Sequence, residues 1–434
     1  MAVFLAINIL ILSIIGMICT NSSIVVIGTG ICIVICLTVK TSTKNWLHLS
    51  IISSILLLAV IILYFGYLDK YNVPYYIGGS DDLDFETYAE LCIEYGYYTP
   101  LEVFQHFYWY VAKGYVWIVS CFMRLGNAIG EYHTLLPRIA NVYCLLITGV
   151  VAQKYCVNKL NFSHSKSRVV LYSITLFPNA IYICANLFRD VWVLMCIFLV
   201  FYIVDLELYK KHKVLWSCVI IILSLFAFFL RSQSIVIILL EIGVIYILKK
   251  PYLSKKTAII YFFCACFVLL ISPFIFREII DYTSYYREYL INQQEGMSQV
   301  VFNFPLFPIG IVLRALYGLV SPFPNGILDI GNMFIDIDSF FNVLIAFGTI
   351  VQIVFLPFLL LSFRKIRSFN ISYLINFLTI IVATFTFRHF LILYPFMWIS
   401  IWNEYYSVNH NIKKLCFAIS FSCLLIFGML YVVL

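Results

Sequence analysis

A run of carboxylates, Asp81, Asp82, Asp84 and Glu86, follows Gly78-Gly79-Ser80 in a chain that is otherwise overwhelmingly apolar. Carboxylates enter hydrocarbon only at a steep cost, so this stretch belongs in water or in a polar cleft at a membrane surface. The glycine pair lets the backbone turn sharply and is expected to bring Asp81 and Asp82 to one spot. One of them could there take the proton of an attacking hydroxyl. The pair could also ligate a divalent metal ion, although no spacing in the chain requires one. A merely solvated acidic loop is the simpler alternative, and Asp84, Glu86, Glu90 and Glu94 are expected to be solvated charges on a helix face.

Cations complement these acids. Arg138, Arg189 (followed by Asp190), Arg231 and Arg388 (followed by His389) each stand at the end of an apolar run, and Arg314 lies in the Pro/Gly-marked segment from Phe304 to Asn325. A guanidinium is permanently charged and grips phosphate through two parallel hydrogen bonds, which suits a lipid phosphate or diphosphate at an interface. Each arginine has a plainer alternative as a headgroup anchor or structural ion-pair partner. A carboxylate for a hydroxyl and cations for a phosphate outline the transfer of a lipid-linked sugar. The carboxylate accepts the proton as the hydroxyl attacks the anomeric carbon, and the arginines stabilise the departing phosphate.

The elements that position these residues are transmembrane helices. Of the 434 residues, 63% are hydrophobic and 11% charged, against about 25% charged in a soluble domain. The mean hydropathy is +0.99. This is an all-α polytopic integral membrane protein. Segments long and apolar enough to span are expected near 3–19, 23–39, 48–68, 134–153, 168–187, 190–208, 214–230 and 233–248. Others follow near 257–275, 340–362, 371–387, 390–407 and 415–434, about thirteen in all. The apolar run 107–123 is left out of the spans, because only then do all the lysine-rich clusters fall on one side, as the positive-inside bias asks. Its aromatic load suits a helix lying at the headgroup level. The chain is therefore expected to be one transmembrane domain, 1–434, with two large external loops, 69–133 and 276–339, containing interfacial helices. The segment 304–325 is expected to dip into the membrane without crossing. The net charge of +7 is a topology signal, so no nucleic-acid partner is expected. The 14 cysteines lack metal or disulfide spacing. Met1–Ile18 is expected to be a retained helix, and Glu241, inside an apolar run, is expected to face a polar neighbour.

In four places the chain resembles the GT-C superfamily of polyprenyl-linked glycosyltransferases. Gly79-Ser80-Asp81-Asp82 with Tyr88-Ala89 resembles the first external loop, which in that superfamily carries a catalytic acid. Residues 107–138, ending in Leu136-Pro137-Arg138, resemble its juxtamembrane helix and the opening of the next span. Phe177-Pro178-Asn179-Ala180-Ile181-Tyr182 with Phe188-Arg189-Asp190 resembles a helix pair, and Arg388-His389-Phe390 through Tyr394-Pro395 resembles a late helix. Three helices precede the acidic loop and no soluble C-terminal domain is expected, which departs from the aminoarabinose- and mannosyl-transferase branch. Size, composition and Leu187-Phe188-Arg189-Asp190 resemble bacterial O-antigen or capsule polymerases (Wzy type).

The resemblance implies a GT-C-like bundle in the bacterial inner membrane, with its site facing the periplasm. Asp81 and Asp82 would be catalytic, and Arg138, Arg189, Arg231, Arg314, Arg388 and His389 would bind substrate or phosphate. The partners would be an undecaprenyl-linked glycan donor, an acceptor glycan, membrane lipids and other polysaccharide-assembly proteins. Two alternatives stand beside it: a transferase using a single undecaprenyl-phosphate sugar, and a flippase for lipid-linked oligosaccharide. A transporter is expected to show paired halves around a midplane site, whereas the polar residues here gather in two loops on one face.

Overall fold

The computed structural model describes residues 1–39, 41–75, 81–108, 110, 112–249, 301, 304, 309–383 and 387–433. The expected span 257–275, most of the loop 276–308 and the glycine pair Gly78-Gly79 lie outside them. Among the described residues the chain is helical, with no strand. The helices are α1 (Ala2–Ile18), α2 (Ser22–Thr38), α3 (Thr43–Tyr71), α4 (Asp81–Glu94), α5 (Pro100–His106), α6 (Lys113–Ile129), α7 (Leu135–Leu160), α8 (His164–Thr175) and α9 (Pro178–Ala185). Then come α10 (Asp190–Asp205), α11 (Lys213–Leu230), α12 (Ser234–Lys249), α13 (Ile311–Leu319), α14 (Ile337–Ser362), α15 (Ser368–Ala383), α16 (Tyr394–Ser407) and α17 (His410–Val433).

The described parts of the other expected spans lie largely in helices, whose lengths differ. Among the described residues four helices, α3, α7, α11 and α14, are long and apolar enough to cross a membrane, or up to six if two broken pairs each count as one span. At 17 residues, α1 and α2 are about 26 Å long, short of a hydrocarbon core of roughly 30 Å. The expected continuous span 168–187 is broken into α8 and α9, bent by 51°. Pro178 opens α9 and Phe177 before it is extended, because proline offers no N–H and drives the preceding residue out of the helical region. The segment around 304–325 contains the second break, between α13 and the 3₁₀ turn Pro324–Gly331. From Lys113 on, the run 107–123 belongs to α6, an amphipathic helix burying Tyr115, Val116, Val119 and Met123 and exposing Leu125 and Ile129.

The contacts of the chain group into two compact units, 1–238 with 324–348, and 239–323 with 349–434. In the first unit α7 is central: 89% of its spanning window is buried, against 17% for α11. Val214, Leu215, Ile221, Ile222, Leu225 and Phe228 of α11 are exposed, a surface fit for lipid and not for water.

The two ends of this unit differ in chemistry. At the end where α3 begins, His48 contacts Arg168 and Tyr172, Asn45 bonds Gln153, and Lys159 pairs with Asp205. The nearby lysines Lys44, Lys154 and Lys166 belong to the same end of their helices. At the other end lie the start of α4, the start of α7 and the junctions α9–α10 and α11–α12. The acidic stretch and three of the candidate arginines meet there. In the second unit Gly318 of α13 closes on Phe377 and Ile381 of α15, and Glu241 accepts a 2.6 Å hydrogen bond from Asn376 Nδ2, the polar neighbour expected for it.

Candidate functional site

The site is built on α7. Its first turn carries Arg138, and one turn on is Asn141, on the same helix face. Asn141 Nδ2 donates to the carbonyls of Asn186 (2.9 Å) and Phe188 (3.2 Å), and its Oδ1 accepts from Trp192 Nε1 at 2.7 Å. The α9–α10 junction is thereby fixed, and with it Arg189 and Asp190. Asn141 was not legible as functional in the sequence; its spacing of three from Arg138 was the available signal.

Asp82 locks α4 onto the same junction. One carboxylate oxygen accepts the Leu187 N–H at 3.2 Å and lies 4.0 Å from Arg138 Nη2. Asp82 is buried and Arg138 fully so; the guanidinium also donates to the Pro74 carbonyl at 2.6 Å and has the Tyr64 and Tyr75 rings 6.0 Å away. A second buried pair follows, Arg231 Nη2 to Asp190 Oδ1 at 2.7 Å. Arg138 and Arg231 thus face carboxylates inside the protein, the structural arrangement set beside phosphate binding as their alternative.

Asp81 and Asp82 diverge. Both belong to α4, where successive side chains point about 100° apart, so they face different sides of that helix. Asp82 turns inward and Asp81 remains partly exposed. Asp84 and Tyr88, three and seven residues after Asp81, share its face. Tyr110, from the loop before α6, packs against Tyr88 with ring centroids 4.6 Å apart. Burial pushes the Tyr110 hydroxyl above its usual range, the charges of Asp81 and Asp84 push it further, and Arg189 opposes them. The three charged groups are therefore in electrostatic range of the Tyr110 hydroxyl. Arg189 is partly exposed and donates to the Leu230 carbonyl at 2.9 Å. The partly exposed face thus combines two carboxylates and two tyrosine rings, with a guanidinium in electrostatic range. Of these, the sequence reading gives Asp84 only as a solvated helix-face charge, and Tyr88 and Tyr110 no role of their own.

Behind this face sits Glu86, buried and accepting from the Tyr132 hydroxyl. Burial raises its carboxyl above the usual range despite the opposing Tyr132 and Arg138. His133, against the Tyr64 ring, is lowered to about 4 by burial and by Arg138.

The remaining candidates belong to the second unit. Arg314 is buried in α13, and Arg388 and the buried His389 lie in the 3₁₀ turn Phe387–Leu393 that leads into α16. Among the described residues no group of three or more His, Cys, Asp or Glu could hold a metal ion. An ion at Asp81 would draw most of its ligands from phosphate and water.

No family model, curated protein or solved structure matches the chain.

Proposed function

We propose that the chain is an integral membrane glycosyltransferase that moves an undecaprenyl-diphosphate-linked glycan onto a sugar hydroxyl, polymerising O-antigen or capsule repeat units. The observation that carries this is the partly exposed face of α4 with Asp81, Asp84 and Tyr88, packed on Tyr110, with Arg189 in electrostatic range of the Tyr110 hydroxyl. Tyrosine rings offer an apolar face with a polar tip, the pattern that suits a sugar ring. In this proposal the protein is a GT-C-like bundle of about thirteen spans in the bacterial inner membrane, with the site on the periplasmic face.

Asp81 accepts the proton of the acceptor hydroxyl as its oxygen bonds to the anomeric carbon. The bond from that carbon to the phosphate oxygen breaks, and the electron pair leaves with the polyprenyl diphosphate. Arg189 stabilises the charge that builds there. The buried pairs Asp82–Arg138 and Asp190–Arg231 hold α4 and the α9–α10 junction so that Asp81 and Arg189 stay in reach of one substrate. Arg314, Arg388 and His389 remain proposed phosphate ligands.

The test is complementation of a deletion strain by Asp81→Asn and Arg189→Ala, with surface polysaccharide length on a gel and membrane levels of each variant. Loss of long chains with a surviving single repeat unit and normal protein levels is expected. Wild-type ladders from both variants would remove the site from the chemistry.

A further inference from the structure

The loop between α4 and α6 carries aromatic rings in mutual contact from the surface to the site. Tyr95 and Tyr97 stack at 5.8 Å, and Tyr97 stacks on His106 at 4.1 Å with ring planes 7° apart. Tyr97 meets Phe107 at 6.2 Å, Phe107 meets Tyr88 at 5.5 Å, and Tyr88 meets Tyr110. Tyr95 is 61% exposed and His106 is exposed as well.

The ledge is held from beneath. Gly96 at φ +71° turns the chain, a conformation open to glycine, and the Tyr97 N–H donates to the Cys92 carbonyl at 2.8 Å. Arg124 donates to the carbonyls of Tyr97 and Cys92 and lies over the Tyr98 ring, while Trp117 Nε1 donates to the Tyr98 carbonyl at 3.0 Å. A capping box of Thr99 and Glu102 starts α5 directly afterwards.

We propose that this ledge is the binding track for the acceptor glycan, with sugars packing on the exposed sides of Tyr95 and His106 and along the edge of Tyr97 between them, and the terminal sugar reaching Tyr88 and Tyr110. The proposal rests on the transferase function above and specifies its acceptor as a chain of several sugars. Charge distinguishes a glycan from a lipid headgroup as the occupant. The sequence has no Lys or Arg from Tyr71 to Ala112. Lys113 is turned onto the Phe104 ring and the Tyr108 carbonyl, and Arg124 is engaged as described. Glu90 and Glu94 are exposed beside the ledge. Anionic headgroups attract basic segments and are repelled by such a surface, whereas carboxylates accept hydrogen bonds from sugar hydroxyls.

The test uses the full chain in neutral phosphatidylcholine nanodiscs. The probes are oligosaccharides of increasing length, from partial hydrolysis of the surface polysaccharide of the strain that carries it. Wild type is expected to bind longer oligosaccharides more tightly than a monosaccharide. The double variant Tyr95→Ala/Tyr97→Ala is expected to bind them about tenfold more weakly or worse and to give shortened chains in cells. Tyr97→Phe, which keeps the ring, should retain binding. Unchanged affinity and chain length in a correctly folded double variant would overturn the proposal. So would a defect limited to retention on vesicles containing anionic lipid, which would make the ledge a membrane anchor. If Asp81→Asn polymerises normally, the transferase function fails, while the ledge is still judged by the binding of the tyrosine variants.

Discussion

Neighbouring aspartates should give opposite phenotypes. Asp82→Asn replaces a buried carboxylate by an amide of the same shape and leaves the Arg138 charge buried without its counter-ion. At the observed 4.0 Å, opposite charges in a medium of effective dielectric constant ~20 attract by about 4 kcal/mol. Removing one member of a buried pair typically costs about 3–5 kcal/mol. The asparagine carbonyl can still accept the Leu187 N–H, so the loss falls mainly on the ion pair. A change of that size lowers the melting temperature by roughly ten degrees in a domain of this size. Asp81→Asn, at a partly exposed position, should stay within about 0.5 kcal/mol of wild type while losing transfer. Size-exclusion thermostability in nanodiscs, run beside complementation, measures both. Adding Arg138→Met to Asp82→Asn removes the orphaned charge and should restore part of the melting temperature. If Asp82→Asn melts with wild type and abolishes transfer while Asp81→Asn is active, the division between lock and chemistry is refuted.

Three further outcomes follow from the same geometry. A Cβ on Gly114 would lie 1.9 Å from the Phe229 carbonyl oxygen, so Gly114→Ala should force α6 off α11 and cost about 1–3 kcal/mol, visible as a lowered melting temperature. Burial and Arg138 lower His133 to about 4, against about 6.5 in the unfolded chain. Its folded-state pKa is depressed, so its stabilisation is present above pH ~6.5 and is lost as pH falls toward 4. The loss is on the order of 2–3 kcal/mol, and melting curves of His133→Asn at pH 7.5 and 4.5 should show a smaller difference than wild type. Glu86 is raised by burial, so it favours the folded state below its unfolded pKa and loses that contribution as pH rises through its folded value. Glu86→Gln should therefore raise the melting temperature at pH 7.5, and a drop there would show the Tyr132 bond to need the ionised form.

The sequence by itself determined the class of molecule, because apolar runs of membrane length and so few charges leave no other solvent for these helices. Helix positions followed from the same runs, and the break at Phe177-Pro178 was present as a proline whose effect on the preceding residue is local. It also marked the acidic stretch and the arginines at helix ends, since charges in an apolar chain stand out wherever they occur. Their sorting came only with the tertiary structure. One residue along α4 rotates a side chain by about 100°, so whether Asp81 or Asp82 faces the interior depends on which side of α4 meets α7. Arg138 and Arg189 look alike in sequence; one is enclosed by Asp82 and Pro74, while the other keeps a partly exposed place near Tyr110. Asn141, Tyr88 and Tyr110 are ordinary residue types whose role depends on neighbours distant in the chain. Pairing between distant segments is long-range packing, to which local spacing is blind.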